Sequence, residues 1–346
     1  MTKYVIKRIL LALCTAFIIL SVSFILIKLL PFEKPIGTDA TLFSFYERQV
    51  TMGYFEKYTT LQAQYGDPIY RYYNSSNGVT SYYYQSPVMK QYGNWLVNII
   101  TKWDWGVSEV ITPNVNALVL IGERLAVSIR INIISVLFSV PIGIALGILA
   151  ALKKNKPTDH IISTLVMVFI SVPSFVLITF LMLIFCYGNK ILPTQWPASS
   201  APDYIKVQGY ILPVFCLSFG SICGYCRFTR AELCEVMSSE YLLLARTKGL
   251  TRRQAILRHA LRNAMVPIVP SILAEFIGIL GGSMILENLY GIPGLGSLFV
   301  KALNYKDYNV LFVDMAIFTT LGLIAGVILD ISYGFIDPRI RMGAKK

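Results

Sequence analysis

Apolar residues in this chain gather into runs of about twenty or more, and charged residues are confined to the stretches between them. Runs of that length, wound as helices, cross a hydrocarbon layer about 30 Å thick. The pattern predicts six membrane-crossing helices, at about Ile6–Leu30, Leu118–Leu152, Ile161–Tyr187, Tyr210–Phe228, Ala264–Leu286 and Leu311–Tyr333. The second is too long for one perpendicular crossing, so its beginning, around Glu123 and Arg124, is expected at the interface. The first follows Lys3, Lys7 and Arg8 as a signal peptide would. Its apolar part exceeds the roughly 7 to 15 residues of a signal sequence, and no small-residue cleavage site follows, so a retained helix is expected. The fold class is therefore all-α, a polytopic membrane protein.

Composition agrees with the pattern. Hydrophobic residues make up 55% and charged residues 14% of the 346 positions, against roughly 25% charged in soluble domains, which excludes a water-soluble fold. The net charge of +12 does not indicate nucleic acid, because the basic residues sit at helix ends and not on a solvated face interleaved with aromatics. Their distribution sets the orientation. The N-terminus, the loop Leu152–His160, the loop Arg227–Arg262 and the C-terminal tail hold 18 Lys and Arg; the alternate segments hold 10 at far lower density. Basic flanks stay on the cytoplasmic side, so both termini are expected there. The resulting division is a helix over 1–30, an extracytoplasmic segment over 31–116, a core of five spans over 117–334 with a cytoplasmic loop at 231–262, and a cytoplasmic tail over 335–346.

The extracytoplasmic segment is rich in tyrosine, including Tyr82, Tyr83 and Tyr84, and contains Trp103-Asp104-Trp105. Two readings compete: an interfacial aromatic belt, or a small ordered cap that meets whatever delivers a substrate. The spread of the tyrosines over many residues favours the cap. Six cysteines lie in or beside the apolar runs. Cys223-Gly-Tyr-Cys226 has metal or redox spacing but lacks a second ligand pair, and a structural role is expected.

The loop after the fourth span is the most informative segment. Ser239 is a candidate N-cap for a first short helix, and Gly249 can take the left-handed conformation that ends one. Thr251 and Gln254 have the spacing of a capping box opening a second helix. There Ile256, Leu257, Ala260, Leu261 and Ala264 recur with helical period and form an apolar stripe, while Arg252, Arg258, His259 and Arg262 point elsewhere. The first helix offers Tyr241, Leu242, Leu243 and Leu244 in a row, leaving apolar surface for something outside this chain. Spacing alone leaves a second reading open, a basic amphipathic anchor and nothing more.

A resemblance separates the two. Ala245-Arg-Thr-Lys-Gly249-Leu250, followed by Arg258-His-Ala-Leu-Arg-Asn263 and Pro267, resembles the cytoplasmic loop of type I ABC importer permeases and, more closely, is similar to that of the oligopeptide/dipeptide permease family. Trp105-Gly-Val-Ser108, Val172-Pro-Ser-Phe175, Tyr290-Gly-Ile-Pro-Gly-Leu-Gly296 and Asp337-Pro-Arg-Ile-Arg341 extend the likeness over roughly Trp105 to Met342 and the first helix. The family's loop begins Glu-Ala-Ala; here Ala245 and Gly249 are kept, with Leu243 and Leu244 at other positions. The outer segment is longer than is usual in the family, so no role is carried over to it. The resemblance implies a coupling helix that docks on a separate ATPase subunit through Tyr241, Ala245, Arg246, Lys248, Gly249 and Leu250. Thr251, Gln254, Arg258, His259, Arg262 and Asn263 would form the scaffold of the loop.

The chain has no Gly-x-x-x-x-Gly-Lys-Ser/Thr phosphate loop. No cofactor is expected on it; ATP and Mg are implied on partner ATPase subunits, and the chain itself is expected not to be an enzyme. The resemblance further implies a second, homologous permease subunit in a heterodimer, two ATPase subunits, an extracytoplasmic substrate-binding protein and a peptide as cargo. The location implied is the bacterial plasma membrane. Nickel or another small solute is the alternative cargo. A secondary transporter driven by an ion gradient is the alternative of another class, but it predicts membrane-centre carboxylates or broken helices in matching halves, which the sequence does not display. Glu275 is the deepest ionisable residue of the spans and has two readings, a translocation path or a contact between helices. Pro141 and Pro173, inside spans, predict local kinks, and Gly278, Gly281 and Gly282 predict close helix packing.

Overall fold

The computed structural model describes residues 2–30, 32, 37–75, 78–278 and 283–336. In chain order its principal elements are α1 (Thr2–Leu29), α2 (Asp39–Thr51), β1 (Phe55–Tyr58), β2 (Tyr70–Asn74), β3 (Val79–Gln85), α3 (Val88–Lys102), α4 (Ala117–Leu152), α5 (Pro157–Ile170) and α6 (Ser174–Met182). There follow α7 (Asp203–Met237), α8 (Glu240–Thr247), α9 (Arg252–Ala255), α10 (Leu261–Gly278), α11 (Met284–Tyr290), α12 (Leu295–Asn304) and α13 (Tyr308–Ile336). The chain is mostly helical, as its hydropathy requires. The predicted contacts of Gly281, Gly282 and the motif Asp337–Arg341 lie outside the described residues.

Among the described residues, four helices are long and apolar enough to cross a membrane: Val5–Leu29 of α1, α4, α7 and Tyr308–Ser332 of α13. Most of their apolar side chains face outward; only 11% of the apolar window of α1 and 28% of that of α13 is buried. In water such surfaces would cost roughly 25 cal/mol per Å², so hydrocarbon is their solvent, and the protein is a multi-pass membrane protein. The pair α5 and α6, extended by a π-helical turn over Leu183–Gly188, is long and apolar enough for a fifth crossing only when its two parts are taken together as one broken span. Here the structure goes beyond the predicted kink: the two parts meet at 92°. Pro173 has no N–H to continue the ladder and disfavours helical backbone at Val172, so the chain leaves the helix at Ser171 and re-enters it at Ser174. The predicted span Ala264–Leu286 falls on α10 as far as Gly278; residues 279–282 lie outside the described residues, and Met284–Leu286 open the separate helix α11.

The chain divides into two compact units. One comprises Met1–Ala12, Gly122–Val300 and Thr320–Lys346. Within it, α4 and α7 cross at bare backbone. A Cβ on Gly143 would lie 2.7 Å from Tyr225 Cβ and 2.8 Å from the Ile222 carbonyl; on Gly147 it would lie 2.6 Å from Thr229 Cβ and 2.7 Å from the Cys226 carbonyl. The spacing is Gly-x-x-x-Gly, which lets membrane helices approach to backbone contact. Asp159 of α5 is fully buried and accepts two bonds from Arg230 of α7, at 2.5 Å from Nε and 2.8 Å from Nη2. Asp330 of α13 pairs with Arg8 of α1 at 3.1 Å. Asp314, in the other unit, is fully buried. Cys223 and Cys226 pack with Val166 in an apolar cluster.

The second unit comprises Leu13–Ile121 and Lys301–Thr319. Three short strands form an antiparallel sheet in the order β1-β3-β2, with Phe55 opposite Gln85 and Tyr70 opposite Tyr83. It is the one departure of the described residues from an all-helical plan. Helix α2 packs on it: Tyr46 stacks on Tyr70 with ring centroids 4.4 Å apart, and the Tyr83 hydroxyl donates to Glu47 at 2.5 Å. Tyr46, Tyr70 and Tyr83 thus pack in an ordered core, which a belt at one membrane depth would not require. Asp307 fastens the loop after α3: its Oδ2 accepts from Ser108 Oγ at 2.6 Å and from the backbone N–H groups of Glu109, Val110 and Ile111, each at 3.1 Å.

Candidate functional site

Helix α7 ends at Met237 and the chain turns through Ser238 and Ser239 into α8. Ser239 occupies the N-cap position predicted for it but does not cap with its side chain; its hydroxyl donates backward to the Val236 carbonyl at 2.5 Å. The end of α8 is a full Schellman turn. The N–H of Leu250 reaches the Ala245 carbonyl at 3.4 Å and that of Gly249 the Arg246 carbonyl at 3.0 Å, with Gly249 at φ +96°. That backbone conformation strains any residue carrying a Cβ.

Two residues later the predicted capping box is present. Thr251 Oγ1 accepts from the Gln254 N–H at 3.3 Å, and Gln254 Oε1 accepts from the Thr251 N–H at 3.0 Å. Two exposed donors are satisfied reciprocally, which fixes the angle at which the second helix leaves the turn. That helix is not a separate short element. It runs from α9 through a π-helical turn over Ile256–Ala260 directly into α10. The π turn carries extra residues for its rotation and shifts the faces that follow. Ala255, Ile256, Ala260 and Ala264 are buried, with Leu261 partly so, but Leu257, expected in the same stripe, is 66% exposed.

The inner side of the loop is a small apolar core in which Leu242, Ala255, Ile256, Ala260 and Ala264 meet Ala151 of α4 and Leu233 of α7. Leu250, expected at an outward contact, is partly buried and packs on this core, because as the residue after Gly249 it closes the Schellman turn. Leu242 likewise points inward, so apolar surface does not run all round α8. The outward side presents Tyr241, Leu243 (63% exposed) and Leu244 (56%), with Arg246, Lys248, Arg252 and Arg253 exposed around them. Ala245 is half-buried; Arg258, His259, Arg262 and Asn263 are exposed along the second helix. The arrangement is an apolar knob, ringed by cations, on a turn whose two ends are stereochemically fixed. Among the described residues, no group of three His, Cys, Asp or Glu is placed to hold a metal.

Glu275 lies on α10 facing α7. The Ser221 hydroxyl donates to its carboxylate and Tyr225 bonds to it as well, the geometry of a contact between helices.

Three arrangements escaped the reading of the sequence. The Asp159–Arg230 pair joins residues 71 positions apart, and Arg230 counted there only as a basic flank. The Gly143–Gly147 spacing is a signal of close helix packing that the sequence itself carries. Glu287, buried beside the motif Tyr290–Gly296, accepts from Ser128 Oγ at 2.7 Å and from the Ser297 N–H at 3.0 Å. A Cβ on Gly294 would lie 2.5 Å from Ser128 Oγ and meet the Glu287 carboxylate as well, so this glycine leaves room for the buried acid.

Comparison with known proteins places these features in a lineage. Residues 143–342 match the family described as binding-protein-dependent transport system inner membrane component. The chain is 33% identical over 343 residues to the oligopeptide transport system permease protein OppB of Haemophilus influenzae, covering 99% of this chain and 100% of that one. It is 28% identical to the dipeptide transport system permease protein DppB of Bacillus subtilis, with 100% of both chains covered. The OppB of Escherichia coli K12 is 30% identical over 99% of this chain. Among solved structures, the MetNI methionine ABC transporter in inward-facing conformations superposes with a TM-score of 0.51 at 16% identity, over 64% of this chain and 97% of that one. At that identity the likeness speaks for the fold.

Proposed function

Since the chain belongs to the binding-protein-dependent transport system inner membrane components and has the fold of a type I ABC importer permease, we propose that it is a pore-forming subunit of an importer for oligopeptides or dipeptides. The reading of the cargo rests on the names of its relatives over its full length. The reading of the mechanism rests on one observation, the outward Tyr241, Leu243 and Leu244 on the rigid turn closed by Gly249 and the Thr251–Gln254 box.

In this mechanism α8 seats in a cleft of an ATPase subunit. ATP and Mg belong to that subunit and its twin, and this chain receives only displacement. Because the helix after the turn runs unbroken into α10, a push on α8 is delivered to a membrane helix without an intervening flexible joint. A second, homologous permease completes the pore, and a substrate-binding protein delivers peptide on the far side. In this reading α8 and both termini lie in the cytoplasm of a bacterial cell, as the density of basic residues in those segments supports, and α10 is the sixth crossing.

Gly249→Val tests the coupling. A Cβ at φ +96° is strained but has no neighbour within 4 Å to clash with, so the spans remain folded while α8 is misaimed. We expect peptide uptake by the assembled transporter to fall at least tenfold, with ATP hydrolysis retained and no longer stimulated by peptide-loaded binding protein. Wild-type uptake by a correctly inserted variant would refute the role of this turn.

A further inference from the structure

Helix α3 turns apolar side chains outward as well as burying a tryptophan inward, more outward apolar surface than a cap standing in water favours. Its inward side carries Gln91 and Trp95, both buried. Its outward side carries Met89 (68% exposed), Gly93, Val97 (57%) and Ile100 (77%), spaced four, four and three residues apart on one helical face. Lys90 lies near one end, and Lys102 and the exposed Trp103 close the other.

What α3 packs against sets its depth. Trp95 stacks on Phe24 of α1 at 4.8 Å and meets Phe312 of α13 edge-on at 5.1 Å. The Tyr92 hydroxyl bonds to Ser21 of α1 at 2.8 Å. The apolar part of α1 has 25 residues, about 37 Å of helix, against a hydrocarbon core of about 30 Å. Ser21 is about 12 Å of helix short of Leu29. Even if the whole surplus of about 7 Å emerged at the Leu29 end, Ser21 would lie about 5 Å inside the hydrocarbon. The apolar outward face of α3 is also continuous in character with α1, where Leu26 and Leu29 are exposed at the same end.

We propose that α3 is an interfacial helix of the membrane leaflet at the Leu29 end of α1, with Met89, Gly93, Val97 and Ile100 against lipid acyl chains and Lys102 and Trp103 at the headgroup level. Tryptophan and lysine at the end of an apolar helical face are the side chains that such a boundary selects. The segment between the first two long spans is then a membrane-seated platform, its sheet resting on a helix that lipid holds in place.

The test places a nitroxide side chain at Gly93 or at Val97, one at a time, in the assembled transporter reconstituted in phosphatidylethanolamine and phosphatidylglycerol vesicles. Collision rates with molecular oxygen and with a water-soluble nickel chelate are then compared. A Cβ at Gly93 meets nothing within 4 Å, so this site remains informative if the Val97 label disturbs packing. Oxygen collisions several-fold above nickel collisions, as for a control label at the exposed Phe17 of α1, are expected. Dominance of nickel would show a water-facing helix. Low collision with both reagents would show a face covered by the second permease or the binding protein. Either result overturns the proposal.

Discussion

Glu109 follows the Asp307-bound turn in the second unit, with Asn309 Nδ2 donating to its carboxylate at 3.0 Å. Burial pushes its carboxyl up to about 7, opposed by the nearby Lys28 ammonium and reinforced by Asp307. An acid whose folded-state pKa is raised holds its proton in the folded protein after the unfolded chain has lost it. Stability from this group is therefore present at low pH and declines as pH rises from about 4.5 to about 7. Thermal unfolding of the purified protein should show that decline, and Glu109→Gln should flatten it within this window; an unchanged slope would mean other groups set the dependence. Asp159 makes the opposite case, an acid held charged. It accepts from both Arg230 nitrogens and from the Asn155 N–H at 2.9 Å. Asp159→Asn leaves the guanidinium facing a neutral amide, and a loss of about 2 kcal/mol is expected, below the roughly 3–5 kcal/mol of a fully buried pair because the Arg230 side chain retains 31% exposure. It is measurable as a lowered unfolding temperature in detergent. The Thr251–Gln254 box and the left-handed Gly249 were legible in the sequence, since both are local rules acting over three residues. The Asp159–Arg230 pair was not, because nothing near either residue names its partner.

Among the elements, the crossing of α4 and α7 depends on the absence of two side chains. Gly147→Ala should lower stability by about 1–3 kcal/mol, since its methyl would enter the space of Thr229 Cβ and the Cys226 carbonyl. Gly220→Ala on α7, where a Cβ meets nothing within 4 Å, should be neutral or slightly stabilising through helix propensity. Equal effects at the two sites would mean that propensity, and not the approach of the helices, sets the cost. Long apolar runs fixed which segments are helical, with α4 within one residue of its expected start. Where each helix stops was less legible: α7 runs from Asp203 to Met237, beyond the apolar stretch Tyr210–Phe228, because polar residues at both ends continue the turn without an apolar signal. The π turn at Ile256–Ala260 left no trace in the hydrophobic period, and that period therefore misassigned Leu257. The sheet of the second unit was hidden for another reason. Its strands have four, five and seven residues, too short to set an alternation apart from the surrounding tyrosines.

At the scale of the molecule, apolar surface turned outward is the dominant fact, and the fold and the polar positions are both consequences of it. Of the charged residues in or beside the spans, Asp159 and Asp330 pair with arginines and Glu275 accepts from the Ser221 hydroxyl. The bend between α5 and α6 has a consequence of the same kind. Helix α5 has 14 residues, about 21 Å of rise, so the chain turns by 92° before a straight path could have reached the opposite headgroups. The Phe169 carbonyl is taken up by the Val172 N–H at 3.1 Å, but carbonyls freed at Ile170 and Ser171 would each cost several kcal/mol in hydrocarbon, and Ser171, Pro173 and Ser174 are exposed on this chain. Oil is barred from that corner. Solvent or a neighbouring subunit has to wet it, which makes the Ser171–Ser174 elbow the place from which to trace where water enters the bilayer plane.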